Sequence, residues 1–244
     1  MTLDLWTKTS GTWINVFTVL IGTTIGLLLK KHLPLRLQQI ITQAVGLITV
    51  FIGLQMAGSF SQVRSSRIDG VVLGLLALVI GGLLGEWWKL EDKLYSLGDF
   101  IKARFRGSGL FTEGFVAASL LFCVGPMAII GSINNGLTGN NTILLLKATM
   151  DGLTSIALTS SFGLGVGFSV LVILVYQGGI SLLAGFFAQA LPNPANDPHL
   201  LLITGVGGLT IVGLGFNLLQ ITQIRVASFL PALIVAPLLY FIFR

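Results

Sequence analysis

The sequence predicts an all-α, polytopic transmembrane helical bundle of about eight spans. Of its 244 residues, 54% are hydrophobic and only 9% are charged, against roughly 25% charged residues in soluble domains. The mean hydropathy is +0.92. The apolar runs, each of about 18–22 residues, are long enough to cross about 30 Å of hydrocarbon as helices. Because these runs are continuous rather than alternating, they favour helices over a closed barrel.

The first three spans share a glycine spacing that lets a neighbouring helix approach closely. They are predicted at residues 13–29, 39–57 and 70–88. Each carries two glycines four or seven residues apart, which are Gly22 and Gly26, Gly46 and Gly53, and Gly81 and Gly85.

The only substantial hydrophilic segment is residues 89–109, within an otherwise single membrane domain of residues 1–244. Its apolar residues recur at steps of three and four, with five basic residues between them. This pattern predicts an amphipathic helix that lies on the cytoplasmic membrane surface.

The second half predicts five further spans, two of which are interrupted. They lie at residues 112–133, 142–162, 166–191, 200–219 and 226–243. Gly125 and Pro126 interrupt the first of these, and Tyr176 to Gly179 interrupts the third, so both spans are candidates for broken helices. In the alternative topology residues 142–162 form a re-entrant segment, which leaves seven spans.

The distribution of Lys and Arg predicts that the N-terminus faces outside. In the eight-span topology most basic residues adjoin cytoplasmic span ends, and four lie outside, namely Lys8, Arg64, Arg67 and Arg244. The net charge of +5 therefore reflects membrane topology, and no nucleic-acid partner is expected.

A weak internal repeat is present. Residues 44–56 align without gaps on residues 206–218, which places Gly46 on Gly208 and Gly53 on Gly215. If spans 1–3 correspond to spans 6–8, the two copies have opposite orientations, as in many transporters. Chance similarity between apolar spans is the alternative.

Lys147 and Asp151 are the strongest candidates for function. Each costs at least about 2.5–3.5 kcal/mol at the centre of a membrane helix, so each needs a partner, water or a cavity. Four residues apart, they share a helix face and can pair. They predict an ion or proton site; a structural lock, or a Lys that reaches toward lipid headgroups, is the alternative.

Six amides and two helix breaks are further candidates for a substrate or ion path. The amides are Asn15, Gln55, Asn134, Asn135, Gln177 and Asn217, and the breaks are at Gly125 with Pro126 and at Gly178 with Gly179. Broken helices free backbone groups that can hold an ion. A single amide is more often a hydrogen bond between helices, so only convergence on one cavity indicates a path.

Enzymatic motifs are not found. His32 and His199 lie in separate predicted loops, so the sequence predicts no metal pair. No phosphate-binding loop, dinucleotide fingerprint or serine–histidine–acid arrangement is present, and the sequence predicts neither an enzyme nor a cofactor.

Several motifs resemble those of one known family. They are GTWINVFTVLIGTTIG near the N-terminus, GPMAIIGSINNGLTGNNTILLLKATMDG, SFGLGVGFSVLVILVYQGGISLLA and RVASFLPALIV. Together they are similar to the DUF554 family of uncharacterised bacterial membrane proteins (YdfK/YqgA-like). The resemblance covers nearly the whole chain and implies a polytopic inner-membrane protein, but no substrate.

Two functions follow from these patterns. The first is a membrane transporter or channel for an ion or small polar solute, with a path near the broken helices of spans 4–6. The second is a non-transporting scaffold or partner-binding protein that docks through residues 89–109. A homo-oligomer in the lipid bilayer is expected, because eight short spans enclose little interior.

Overall fold

Every regular element that the structure describes is helical. The structure is a computed structural model that describes residues 4–63, 68–107, 109–185 and 197–243; Arg64, Arg67 and Arg244 lie outside these ranges. The helices are α1 (Leu5–Lys30), α2 (Leu35–Ala57), α3 (Gly70–Trp87), α4 (Leu90–Arg104), α5 (Phe111–Cys123), α6 (Pro126–Thr138), α7 (Thr142–Phe162), α8 (Gly165–Leu182), α9 (Pro198–Leu218) and α10 (Ala232–Phe243). Short 3₁₀ turns, Gly58–Gln62 and Val226–Phe229, follow α2 and precede α10.

The fold class predicted from the sequence is confirmed. Among the described residues, seven helices are long and apolar enough to cross a membrane, or eight if the bent pair α5–α6 is one span. Residues 142–162 form an unbroken helix of 21 residues, which favours a span over a re-entrant segment there. The chain is instead bent one element earlier, where the direction of the helix changes by 61° between α5 and α6.

The chain forms two compact units that interleave in sequence. The first unit combines Met1–Thr42 with Leu97–Pro192, and the second combines Gln43–Ser96 with Asn193–Arg244. The prediction of a single membrane domain is not tested by this division.

In the first unit, α1 and α7 pack side by side in the same direction. Gly22 lies against Gly152 and Ser155, and further along a Cβ built on Gly26 would lie 2.6 Å from the Ile156 carbonyl oxygen. Residue numbers rise together along both helices, so the helices are parallel. The two glycines of the predicted spacing are therefore the places where the α1 and α7 backbones meet.

Helix α8 packs on α1 in the opposite direction. A Cβ built on Gly167 would lie 2.8 Å from the Thr23 methyl carbon, whereas one built on Gly178 would lie 3.8 Å from that of Thr12. Residue numbers fall along α8 as they rise along α1. Helix α1 thus contacts a parallel helix, α7, and an antiparallel helix, α8.

In the second unit, α2 and α9 are antiparallel and meet at the glycines that the sequence alignment of residues 44–56 with residues 206–218 superposes. A Cβ built on Gly53 would lie 2.6 Å from the Gly208 carbonyl oxygen, and one built on Gly215 would lie 3.0 Å from that of Gly46. Beside them, α3, α9 and α10 share an apolar core whose members include Leu73, Ala77, Leu202, Ala236 and Tyr240. Glycine is needed at the contact positions of α2 and α9 because the two backbones leave no space there for a side chain.

Helix α4 is five residues shorter at its C-terminal end than the predicted segment 89–109. Arg225 pairs with Asp92 in the first turn of α4 at 2.6 Å and with Glu86, near the end of α3, at 2.7 Å. Glu91 accepts a hydrogen bond from the Ala227 backbone N–H at 2.7 Å. Burial raises the pKa of the Glu91 carboxyl group above its ordinary value of 4.5, because desolvation disfavours the charged form.

Candidate functional site

Four of the predicted path residues come together inside the first unit. Asn15 comes from α1, Lys147 and Asp151 from α7, and Gln177 from α8. We call these four residues the polar centre. Asn15 and Gln177 are fully buried, and Lys147 and Asp151 are each only 7% exposed. The buried pair therefore does not extend to the protein surface.

The four side chains form one connected network. Asn15 Nδ2 donates to Asp151 Oδ2 at 2.9 Å and to Gln177 Oε1 at 2.8 Å. Lys147 Nζ pairs with the same carboxylate oxygen, Asp151 Oδ2. Because an ionised carboxylate only accepts hydrogen bonds, Asn15 must present its NH₂ group to Asp151. Gln177 must then present its carbonyl oxygen to Asn15.

This orientation leaves polar atoms of the centre without partners among the described residues. Asn15 Oδ1 is an unpartnered buried acceptor and Gln177 Nε2 an unpartnered buried donor, and the Thr12 hydroxyl, one turn away on α1, is also unpartnered. Buried polar groups in proteins are nearly always hydrogen-bonded, and an unsatisfied one costs about 1–3 kcal/mol. The polar centre is therefore equipped to bind a further polar group or ion.

The break between α5 and α6 lies close to the polar centre. Cys123, the buried last residue of α5, is within electrostatic range of both Lys147 and Asp151. Gly125 is extended, and Pro126 occupies the first turn of α6, where its missing N–H removes no helical hydrogen bond. The two residues of this predicted break therefore end one helix and begin the next.

The second predicted break has a different form. Gly178 and Gly179 keep helical dihedrals, with φ of −63° and −60°, so the chain does not unwind there. Instead, Leu174–Gly178 forms a π-helical turn that contains Gln177. Such turns are rare and frequently occur at functional sites. The sequence therefore predicted the position of an irregular turn, but Gly178 and Gly179 do not interrupt the helix.

Two candidate asparagines on α6 lie apart from this network. Asn135 is fully buried, and its Oδ1 accepts from the Gly11 N–H at 2.9 Å while its Nδ2 donates to the Thr7 carbonyl at 3.0 Å. It joins α6 to the first turns of α1, and both ends of its amide are used. Asn134 is partly exposed.

The two remaining amides belong to the second unit. Gln55 is on the exposed face of α2. Asn217 donates to the Ile224 carbonyl and accepts from the Ile224 N–H, both at 2.7 Å. Its amide thus organises the chain that follows α9. Neither residue is part of the polar centre. The sequence around a single amide in an apolar run does not show whether that amide belongs to a buried network.

Beside the polar centre is a cavity that the sequence analysis missed. It has a volume of about 660 Å³ between α1 and α8, and its lining includes Trp6, Thr12, Trp13, Val175 and Gly178. The two indoles stack with their centroids 6.1 Å apart. Thr12 precedes Asn15 by three residues and Gly178 follows Gln177, so the cavity ends about one helical turn from the network. In the sequence, the only indication of this arrangement was that Thr12 and Asn15 are three residues apart and therefore share a face of α1.

Comparison with known proteins identifies the family. Residues 10–241 match the family described as "Protein of unknown function (DUF554)". The chain belongs to the DUF554 family. This confirms the resemblance noted in the sequence, and the polar centre lies wholly inside the matched DUF554 region.

Two relatives of this DUF554 chain match along almost their whole length. An uncharacterized membrane protein, YdfK of Bacillus subtilis, is 34% identical over 232 residues, covering 95% of this chain and 96% of the relative. The uncharacterized protein YqgA of Escherichia coli is 30% identical over 233 residues, covering 93% and 94%. No solved structure matches the chain. The family and the apolar helices together show that this is a membrane protein.

Proposed function

We propose that this protein is a membrane transporter or channel that passes an ion or a small polar solute through the polar centre. The observation that carries the proposal is the network itself. A buried Asp151–Lys147 pair is joined to Asn15 and Gln177, and an acceptor and a donor remain unpartnered beside it. The proposal assigns no catalytic step to the chain.

The two buried charges of Lys147 and Asp151 need a reason to be retained. A buried ion pair is often no more stabilising than well-packed apolar residues of similar volume. In a membrane, ionisable residues that face a bundle interior mark ion and substrate pathways. Asp151 contacts Asn15 of α1 and pairs with Lys147, and both charged residues are only 7% exposed. Solute binding therefore accounts for them better than stability does.

The inverted repeat, which is part of this proposal, supports a transporter in particular. The repeat aligns Gly46 with Gly208 and Gly53 with Gly215, and the same offset of 162 residues aligns Asn15 with Gln177. These two amides hydrogen-bond to each other. In our proposal, each is the other's counterpart in the opposite copy.

The glycine contacts fit the same relation. Gly53 meets Gly208, the counterpart of Gly46, and Gly215 meets Gly46, the counterpart of Gly208. Such reciprocal, antiparallel contacts are expected of elements related by a two-fold axis in the membrane plane. Transporters with inverted repeats bind substrate at the repeat interface, near irregular helices, which matches the position of the polar centre beside a π-helical turn.

The proposed topology has eight spans, with the N-terminus outside and the chain in the inner membrane. Helix α7 is parallel to α1, so the two begin on the same side. If α2 and α3 each cross once, α4 lies on the opposite side from the start of α7. The bent pair α5–α6 must then cross the membrane as one broken span. Lipid surrounds the bundle in this proposal, and the protein is a homo-oligomer.

A second function is favoured by one observation. The Lys147–Asp151 pair is almost wholly enclosed by protein, and neither residue lines the cavity between α1 and α8. A closed pair suits a structural lock as well as an occluded transport state. On this view the chain is a non-transporting scaffold that binds a partner through α4.

Flux through proteoliposomes separates the two functions. The probes are labelled sodium, rubidium, chloride, phosphate and glycine, each added to vesicles that contain the purified full chain. The proposal expects uptake of at least one probe, abolished by Asp151→Asn. The matched control is Glu113→Gln, which neutralises an exposed carboxylate of α5 and is expected to leave uptake unchanged.

Impermeable wild-type vesicles for every probe would overturn the transport proposal. The scaffold proposal expects that result, together with loss of a co-purifying partner when residues 90–104 are deleted. Uptake that persists at the wild-type rate in Asp151→Asn would remove the carboxylate from the path.

A further inference from the structure

We infer that the solute is a monovalent cation that is exchanged for a proton at the polar centre. In this exchange the entering cation takes the place of Lys147 Nζ on the Asp151 carboxylate, and Lys147 releases its proton. The inference rests on the transport function proposed above and names its substrate class.

The charge balance of the polar centre requires a proton to leave. Among its four residues only Lys147 and Asp151 are charged, so the centre is neutral overall. A cation added beside a protonated lysine would leave one uncompensated buried charge, which is very costly. When the –NH₃⁺ group of Lys147 becomes –NH₂ and the proton passes to water, the cation pairs with Asp151 and the net charge is unchanged. A divalent cation would still leave one positive charge.

The available atoms favour a cation over an anion. Hard cations prefer carboxylate and carbonyl oxygens. Asp151 supplies a carboxylate, and Asn15 Oδ1 is an unpartnered acceptor on the amide that already contacts Asp151. Gln177 Oε1 lies 2.8 Å from the same amide. An anion would find the unpartnered Gln177 Nε2 donor and the ammonium group of Lys147, whose charge Asp151 already neutralises, next to a repelling carboxylate.

The ammonium group of Lys147 is able to leave the Asp151 carboxylate and to return to it. It is on the same helix as Asp151, four residues before it, and its ammonium group sits at the end of a flexible four-carbon chain. The pair can therefore open through side-chain rotation without moving α7. The structure shows the lysine-bound state of this exchange.

In the part of the chain that the structure describes, two other titratable side chains lie within electrostatic range of this region. Cys123 of α5 is within electrostatic range of Lys147 and Asp151, and Tyr176 of α8 is within range of Cys123. The polar-centre residues of α1 carry no titratable group. Cys123→Ala and Tyr176→Phe are therefore controls, and both are expected to retain the exchange.

The test is cation binding to the purified full chain in lipid nanodiscs. Thermal unfolding is followed in lithium, sodium, potassium and choline chlorides at constant ionic strength, and proton release is followed with an indicator dye in weak buffer. We expect at least one of the three metal ions to raise the melting temperature above that in choline. That ion is expected to release about one proton per chain near neutral pH.

Three variants distinguish competition from a structural role. Lys147→Gln removes the competing ammonium group, so it is expected to bind the cation at least tenfold more tightly and to release no proton. Lys147→Arg keeps a positive charge that does not deprotonate, so it is expected to bind at least tenfold more weakly. Asp151→Asn is expected to lose both the cation effect and proton release, and Glu113→Gln to retain both.

The inference is overturned if no cation changes the wild-type melting temperature, or if Lys147→Gln binds no more tightly than wild type. Should either result be accompanied by Asp151-dependent uptake of glycine, chloride or phosphate, the transport function would stand and only the cation assignment would fail. If proteoliposomes also take up no probe, both proposals fail.

Discussion

A double-mutant cycle across Lys147 and Asp151 measures whether their charges are coupled in a buried environment. The variants are Lys147→Met, Asp151→Leu and the double substitution, which replace the charged groups by apolar side chains of similar size. Each partner is only 7% exposed. Either single substitution therefore strands the other charge away from water.

The expected magnitudes follow from this burial. Breaking a buried ion pair by removing one partner costs about 3–5 kcal/mol, whereas removing both is close to neutral. Lys147→Met is expected near the lower end, because Asn15 still donates a hydrogen bond to Asp151. The two single substitutions should cost about 6–10 kcal/mol together and the double about 1 kcal/mol or less. The coupling free energy is then about 5 kcal/mol or more.

The assay is reversible unfolding of the full chain in mixed micelles, titrated with sodium dodecyl sulfate and followed by tryptophan fluorescence. Choline chloride replaces sodium chloride so that no metal cation substitutes for Lys147, and choline dodecyl sulfate replaces the sodium salt. The matched control is the exposed pair of Arg225 and Glu86, whose side chains are 45% and 51% exposed. Its coupling is expected at about 1 kcal/mol or less, as for other surface pairs.

A coupling below about 1 kcal/mol for the buried pair would refute this reasoning. It would mean that Lys147 extends to the headgroup region and that its charge is screened by water. In that case neither a structural lock nor an exchange site is supported at Asp151.

Two further predictions concern parts of the chain outside the polar centre. In the proposed topology the pair α5–α6 crosses the membrane, so residues 96 and 140 lie on opposite sides. Ser96→Cys and Asn140→Cys are therefore expected to react with an impermeant maleimide from opposite sides of the membrane. The native Cys123 is buried and is expected to give little background labelling. Labelling of both from the same side would make that pair re-entrant. Because the pKa of Glu91 is raised in the folded state, its carboxyl group ionises at a lower pH in the unfolded chain than in the folded one. The free energy of unfolding is therefore expected to fall as pH rises from about 4.5 through the folded-state pKa. Melting temperatures between pH 4 and 7 are expected to show a smaller fall for Glu91→Gln, and an equal fall would contradict this.

The positions of the helices were largely predictable from the sequence. Long apolar runs must satisfy their backbone hydrogen bonds internally in lipid, so composition alone indicates helices and their approximate ends. Gly125 and Pro126 interrupt a run visibly, and the structure has α5 end and α6 begin there. The predicted boundaries differ from the structure at α1, which begins at Leu5 rather than at residue 13, and at α4, which ends at Arg104 rather than at residue 109.

The partners of the candidate site were only partly predictable. Lys147 and Asp151 are four residues apart, so one helix predicts their pairing. Asn15 and Gln177 are 162 residues apart, and nothing local distinguishes them from Gln55 or Asn217. All four amides lie in apolar runs of the sequence. Asn15, Gln177 and Asn217 bond to groups that the fold brings near, whereas Gln55 lies on an exposed face.

By itself, the sequence determined that this chain is a helical membrane protein and that one of its helices carries a lysine and an aspartate that hydrocarbon does not tolerate. Both conclusions follow from transfer free energies that are summed locally along the chain. Only the tertiary structure decided which helices cover that pair and which atoms remain without partners. Apolar spans carry little pattern to orient their faces, so the close glycine contacts of α1 with α7, and the packing of α8, fix the polar centre.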